Sequence, residues 1–168
     1  GAAQASGHGS VTASGFENLS GTIFADALSG DGADNVLAGD LGNDALFGGA
    51  GSDTLYGDGA VRPDTAGLGY SGPITTYADI AAAFGTTPGD DILDGGAGND
   101  ILDGGGGVDT ASFASWTEGV IAGLGSGIFG FARNAAGTEV DQLRNIENLS
   151  GSAFNDSLSG NDRANVLS

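Results

Sequence analysis

The 168-residue sequence predicts an all-β fold, a right-handed parallel roll with loops rich in Gly and Asp along both edges. Three observations predict it. A nine-residue frame recurs in register, each frame closes on a short alternation centred on Leu, and Gly crowds the positions before that alternation.

The frames start at Gly21, Gly30, Gly39 and Gly48 and read GTIFADALS, GDGADNVLA, GDLGNDALF and GGAGSDTLY. Position six is Asp26, Asn35, Asp44 and Asp53, and position eight is Leu28, Leu37, Leu46 and Leu55. A fifth frame opens at Gly57-Asp58-Gly59, is interrupted, and resumes at Gly89-Asp90-Asp91 with Leu93 at position eight. GGAGNDILD from Gly95 and GGGGVDTAS from Gly104 follow. Gly at positions one, two and four lets the backbone turn tightly and approach a partner closely. The last three residues, such as Thr54-Leu55-Tyr56, point out, in and out, as a short strand does. One frame is therefore a loop and a strand. Two frames make one coil of a flattened solenoid whose inner faces are filled by Leu, and loops two frames apart stack on one edge.

The 29-residue interruption, Ala60 to Pro88, holds all three Pro of the chain. It reads as a surface insertion with a short α-helix, capped by Thr76 with Asp79 three residues on and ended by Gly85. A longer period is also present. The segment from Phe16 matches the segment from Ile146 at 13 of 22 positions. Between Phe113 and Asn145 the nine-residue rule lapses, and alternation at 110–114 and 119–124 predicts strands. Trp116, the one Trp, is expected to plug the core, with a sugar-stacking platform as the sharper alternative. Residues 1–20 read as a cap or the end of a preceding unit, 21–112 as the roll with its 60–88 insertion, 113–150 as a β-rich cap or linker, and 151–168 as the start of a second array. With no initial Met, and an end inside a repeat, the chain reads as a fragment or a processed piece.

Charge narrows the function. Twenty-two acidic side chains stand against four Arg and no Lys, a net −18. Such a surface repels phosphate, so nucleic acid and anionic membrane are poor partners. No apolar run approaches the ~20 residues of a membrane span, and Gly1 to Ser10 shows no signal peptide. Without Cys or Lys there is no thiolate metal site, thiol nucleophile or Schiff base. His8, the single His, sits in a Gly/Ser stretch with nothing to make it catalytic. GxG strings lack the βαβ context of a dinucleotide site. No catalytic constellation is expected.

The Asp at position six has two readings, a turn-forming Asx residue or a metal ligand. Stacked, unneutralised carboxylates would repel one another along each edge, which favours the metal. Stacked strands lie ~4.8 Å apart, so a cation midway sits roughly 2.4 Å from the oxygens above and below. That distance suits calcium and exceeds what magnesium demands, and every donor is a hard oxygen.

GGAGSDTLY, GGAGNDILD and GGGGVDTAS resemble the nonapeptide of the RTX (repeats-in-toxin) family, whose arrays fold as calcium-loaded parallel β-rolls. The resemblance covers about half of the chain. It implies type I secretion from a Gram-negative bacterium and folding on calcium outside the cell or at its surface.

The family's ligand scheme, carried over by position, takes carbonyls two and four and Asp six of one loop, with carbonyls one and three and Asp six of the loop two frames on. It pairs Thr22, Phe24 and Asp26 with Gly39, Leu41 and Asp44. A second site joins Asp31, Ala33 and Asn35 to Gly48, Ala50 and Asp53, one carboxylate short. In a third, Asp40, Gly42 and Asp44 meet Gly57, Gly59 and Asp91. The fourth sets Gly49, Gly51 and Asp53 against Gly95, Ala97 and Asp100. The fifth sets Asp58, Gly89 and Asp91 against Gly104, Gly106 and Asp109. The scheme implies about five calcium ions, with the insertion splitting a loop shared by the third and fifth sites. Asp44 would serve two sites, whereas Asp109 would close the array and serve one. Glu17 and Glu147 match a glutamate that binds calcium in some family members, the alternative being a solvated cap residue.

Two function classes follow from the resemblance. One is a structural, calcium-folded module of a secreted or surface protein of toxin, adhesin or surface-layer type. The other is an accessory carbohydrate-binding roll beside a polysaccharide-active enzyme, similar to those of alginate epimerases. Four scattered Arg favour the first. Self-association, tandem modules and a polysaccharide remain open as partners beyond calcium.

Overall fold

Leu at position eight is flanked by residues that point to the opposite face, so a frame's strand turns one side chain inward and two outward. Single strands of that kind cannot form a core, and stacking them does. The computed structural model of the chain describes residues 2–4, 9–12, 16–58 and 88–168. Fifteen strands run through the described residues: β1 (Ala2–Gln4), β2 (Gly9–Thr12), β3 (Asn18–Ser20), β4 (Asp26–Ser29), β5 (Val36–Asp40), β6 (Ala45–Ala50), β7 (Thr54–Asp58), β8 (Ile92–Ala97), β9 (Ile101–Asp103), β10 (Thr110–Ser112), β11 (Val120–Gly123), β12 (Phe129–Asn134), β13 (Val140–Arg144), β14 (Asn148–Ser150) and β15 (Ser157–Ser159).

From β1 to β11 successive strands alternate between two sheets. One runs β1-β3-β5-β7-β9-β13-β12-β11-β15 and the other β14-β10-β8-β6-β4-β2. This is the expected parallel roll. Leu28 pairs with Leu46, 18 residues on, whereas Leu46 pairs with Leu93, 47 residues on. The excess of 29 equals the length of the 60–88 insertion, so the roll resumes in register after it. The described residues contain no helix, and none long and apolar enough to cross a membrane. The short helix expected between Thr76 and Gly85 is not borne out; that stretch lies outside the described residues, as do His8 and Gly59.

Leu19, Leu37, Leu55, Leu102 and Leu143 line one inner face, and Leu28, Leu46, Leu93, Ala111 and Leu149 the other, all buried. Each buried Leu contributes roughly 1.5–3 kcal/mol. Trp116 is buried and meets Phe113 edge-on at 5.1 Å between ring centres, a core plug as expected.

The segment after Phe113 departs from the rest. The expected strands appear as β10 and β11, but β11, β12 and β13 form an antiparallel meander. Its last strand then turns parallel to β9, with Leu143 opposite Leu102, and β14 lies parallel to β10. Both sheets of the roll therefore extend past the last glycine frame.

Candidate metal centres

The glycine-rich half of each frame folds as the loop expected of it. Position two has positive φ at Asp40 (83°), Gly49 (111°), Gly96 (91°) and Gly105 (95°). Position four does too, at Gly42, Gly51, Gly98 and Gly107. Left-handed backbone at both places favours Gly, and Asp40 is among the few residue types that tolerate it. Position one is Gly for another reason. A Cβ on Gly39, Gly48, Gly57, Gly95 or Gly104 would fall onto the carboxylate of its own frame's Asp; at Gly39 it would also stand 2.6 Å from the Gly57 carbonyl oxygen.

Stacking loops two frames apart aligns the position-six side chains in two rows. In the first, the Asp26 N–H donates to Asp44 Oδ1 (2.8 Å), that of Asp44 to Asp91 Oδ1 (2.8 Å), and that of Asp91 to Asp109 Oδ1 (2.9 Å). The Asp109 N–H then donates to Glu147 Oε2 at 3.0 Å. In the second row Asn35 donates to Asp53 (2.7 Å), Asp53 to Asp100 (2.7 Å), and Asp100 to Asp141 (3.0 Å). One carboxylate oxygen per Asp thus holds the neighbouring coil. The other, Oδ2 of Asp44, Asp53, Asp91, Asp100, Asp109 and Asp141, is buried with no hydrogen-bond partner.

Such groups cannot ionise cheaply without a counter-charge. Burial pushes Asp44, Asp109 and Asp141 up to about 8 and Asp91 up to about 7, against the backbone N–H each accepts and aided by neighbouring carboxylates. Burial likewise raises Asp53 to about 6 and raises Asp100. The residues fit a hard divalent cation: unpartnered anionic oxygens, spaces kept clear by position-one Gly, and only oxygen donors. Among the described residues no three acidic or imidazole side chains converge, so backbone carbonyls would have to complete any shell.

The loops expected to share a site lie against each other. Leu41 N donates to the Thr22 carbonyl (3.2 Å), and Gly42 packs on the Phe24 carbonyl. Ala50 N donates to the Asp31 carbonyl (2.9 Å), with Gly51 over Ala33. Gly96 and Gly98 lie over the Gly49 and Gly51 carbonyls, and Gly51 N donates to the Ala97 carbonyl (2.9 Å). Gly89 packs on the Gly42 carbonyl. Asp58 joins the two ends of the insertion, its Oδ1 accepting from Gly89 N (3.4 Å), while its Oδ2 accepts from Gly106 N (2.8 Å) in the loop stacked two frames on.

Three features differ from the sequence reading. Asp109 does not end its row, because Glu147 stands over it. Asn35 has no spare oxygen: its Oδ1 accepts from Asp31 N (2.9 Å) and its Nδ2 donates to the Phe16 carbonyl (3.1 Å). Asp141, outside the glycine frames, extends the second row. A signal for it exists. Ala136 to Arg144 reads AGTEVDQLR, with Asp141 at six and Leu143 at eight, and Glu147 likewise precedes Leu149 by two. Without Gly at position one these frames escape a glycine-anchored search.

A family model described as the RTX calcium-binding nonapeptide repeat matches the chain in four copies, over residues 12–46, 29–60, 86–111 and 145–168, more than half of its length. No curated protein matches the chain.

Proposed function

We propose, for a chain that belongs to the RTX calcium-binding nonapeptide repeat family, that calcium held along both Asp rows drives the folding of a structural module of a secreted or cell-surface bacterial protein. The repeats are a structural calcium-binding module, and such repeats typically occur in secreted bacterial proteins. About five ions, in the five loop pairs named above, is the reading the stacking supports. The observation that carries it is the buried, partnerless Oδ2 of successive Asp residues.

When bound, a divalent cation supplies the positive charge that lets these rows be ionised within the fold. The chain's own residues do the rest. The Asp Oδ1 atoms clamp the neighbouring coil, the position-one Gly residues leave room beside Oδ2, and the Leu ladder closes once the coils stack. Low calcium inside a cell would leave the chain unfolded for export, and higher calcium outside would close the roll. At a hundredfold saturation each ion adds about 2.7 kcal/mol to the folded state. Circular dichroism in EGTA and then in millimolar calcium tests this. A β spectrum that chelation leaves unchanged would overturn it.

A further inference from the structure

We propose a cation site half outside the glycine repeats, between Asp100 of the last second-row loop and Asp141 of β13; it rests on the calcium reading above. Asp100 and Asp141 are each 1% exposed. Three hydrogen bonds fix their segments: Asp100 N to Asp141 Oδ1 (3.0 Å), Gln142 N to the Asp100 carbonyl (2.9 Å), and Val140 N to Asn99 Oδ1 (2.9 Å). The Oδ2 atom of both carboxylates is left buried and without a hydrogen-bond partner. Two stacked carboxylate oxygens buried without a partner can carry charge here only beside a cation, because burying them ionised and bare is costly.

The lower half is an ordinary frame, with Gly96 and Gly98 in left-handed backbone at positions two and four. The upper half reaches the same place by a different route. Asn134 shapes that loop by accepting from Thr138 N (2.9 Å) and Glu139 N (3.3 Å) at its Oδ1. Gly96 and Ala97 of the lower loop and Asn134 and Glu139 of the upper one line a common cavity of about 90 Å³, so the two loops face each other. A cation here ties the antiparallel meander to the roll, so calcium docks the non-repeat segment as well as folding the repeats.

Asp141→Asn tests it, since the amide keeps an oxygen for Asp100 N and removes only the anionic one. Metal analysis of the folded, dialysed chain should find one calcium fewer than in the wild type, and amides of β12 and β13 should exchange faster in calcium. A purely structural role for Asp141 would leave the ion count unchanged, and that result overturns the proposal. A wild-type chain that binds no calcium overturns the calcium reading itself instead. Should the variant stay unfolded in calcium, a crystal structure of the wild type grown in calcium carries the test. An ion must stand between Asp100 and Asp141, and two carboxylates with none between them overturn the site.

Discussion

Residues 16–37 and 146–167 share 13 of 22 residues and differ sharply in environment. In the first copy Leu28 and Leu37 are 0% and 1% exposed, and Asp26 is buried. In the second Leu158 is half-buried, Leu167 is 42% exposed, and Asp156 is exposed. The local bonds are nonetheless alike. Thr22 N donates to Asp26 Oδ2 (2.7 Å) and Ser152 N to Asp156 Oδ2 (2.9 Å). Asn35 Nδ2 reaches the Phe16 carbonyl, and Asn165 Nδ2 reaches that of Glu147 (2.7 Å). The frame therefore makes its own loop, and only a coil stacked on either side makes a core or a buried carboxylate. Electrostatics follow. Asp44, enclosed by coils, is pushed up by burial to about 8. For Asp156, slight burial pushes upward, but hydrogen bonds from Val120 and Ser152 outweigh it and hold the group below its ordinary value.

The contrast is tested most strongly in the core. Leu28→Ala should cost about 2–5 kcal/mol in calcium, whereas Leu158→Ala should cost under about 1 kcal/mol. Equal losses by urea denaturation would show that the second copy is enclosed as the first is.

Carboxylates come next. Asp44→Ala should raise the calcium midpoint for folding by about tenfold, and Asp156→Ala should hardly move it. Asp109→Ala should now resemble Asp44→Ala, since Glu147 continues its row. A midpoint for Asp109→Ala clearly nearer wild type than that of Asp44→Ala would mean that Glu147 adds nothing there.

Asn35→Asp sharpens the comparison at a row end. It exchanges the donor to the Phe16 carbonyl for a buried charge, and should cost the folded state about 1–2 kcal/mol at calcium only just sufficient for folding. At higher calcium the added carboxylate should offset that loss, seen as a steeper rise of Tm with calcium than in the wild type. Parallel Tm curves would exclude a cation at that loop pair.

The smallest effect is expected from deleting residues 60–88, which joins Gly59 to Gly89. The register across the insertion is already that of an uninterrupted roll. The calcium-induced β spectrum should persist, and its loss would make the insertion part of the core.

Much of this architecture was legible in the amino-acid order. A frame of constant length repeats the same rise and turn, so Leu28, Leu46 and Leu93 must stack, and Asp44, Asp91 and Asp109 with them. Gly at positions one, two and four announced the loops because few other residues fit those angles and spaces. Tertiary structure decided what happens beyond the glycine frames, where the spacing of Asp141 to Leu143 and Glu147 to Leu149 has no Gly to anchor it. Asp141 and Glu147 enter the rows because β13 and β14 pair with β9 and β10. That pairing spans 41 and 38 residues, with no constant period to mark it. It also decided that Asn35 is bonded at both polar atoms while each Asp keeps a bare oxygen, since an amide can donate to the coil beneath and a carboxylate cannot.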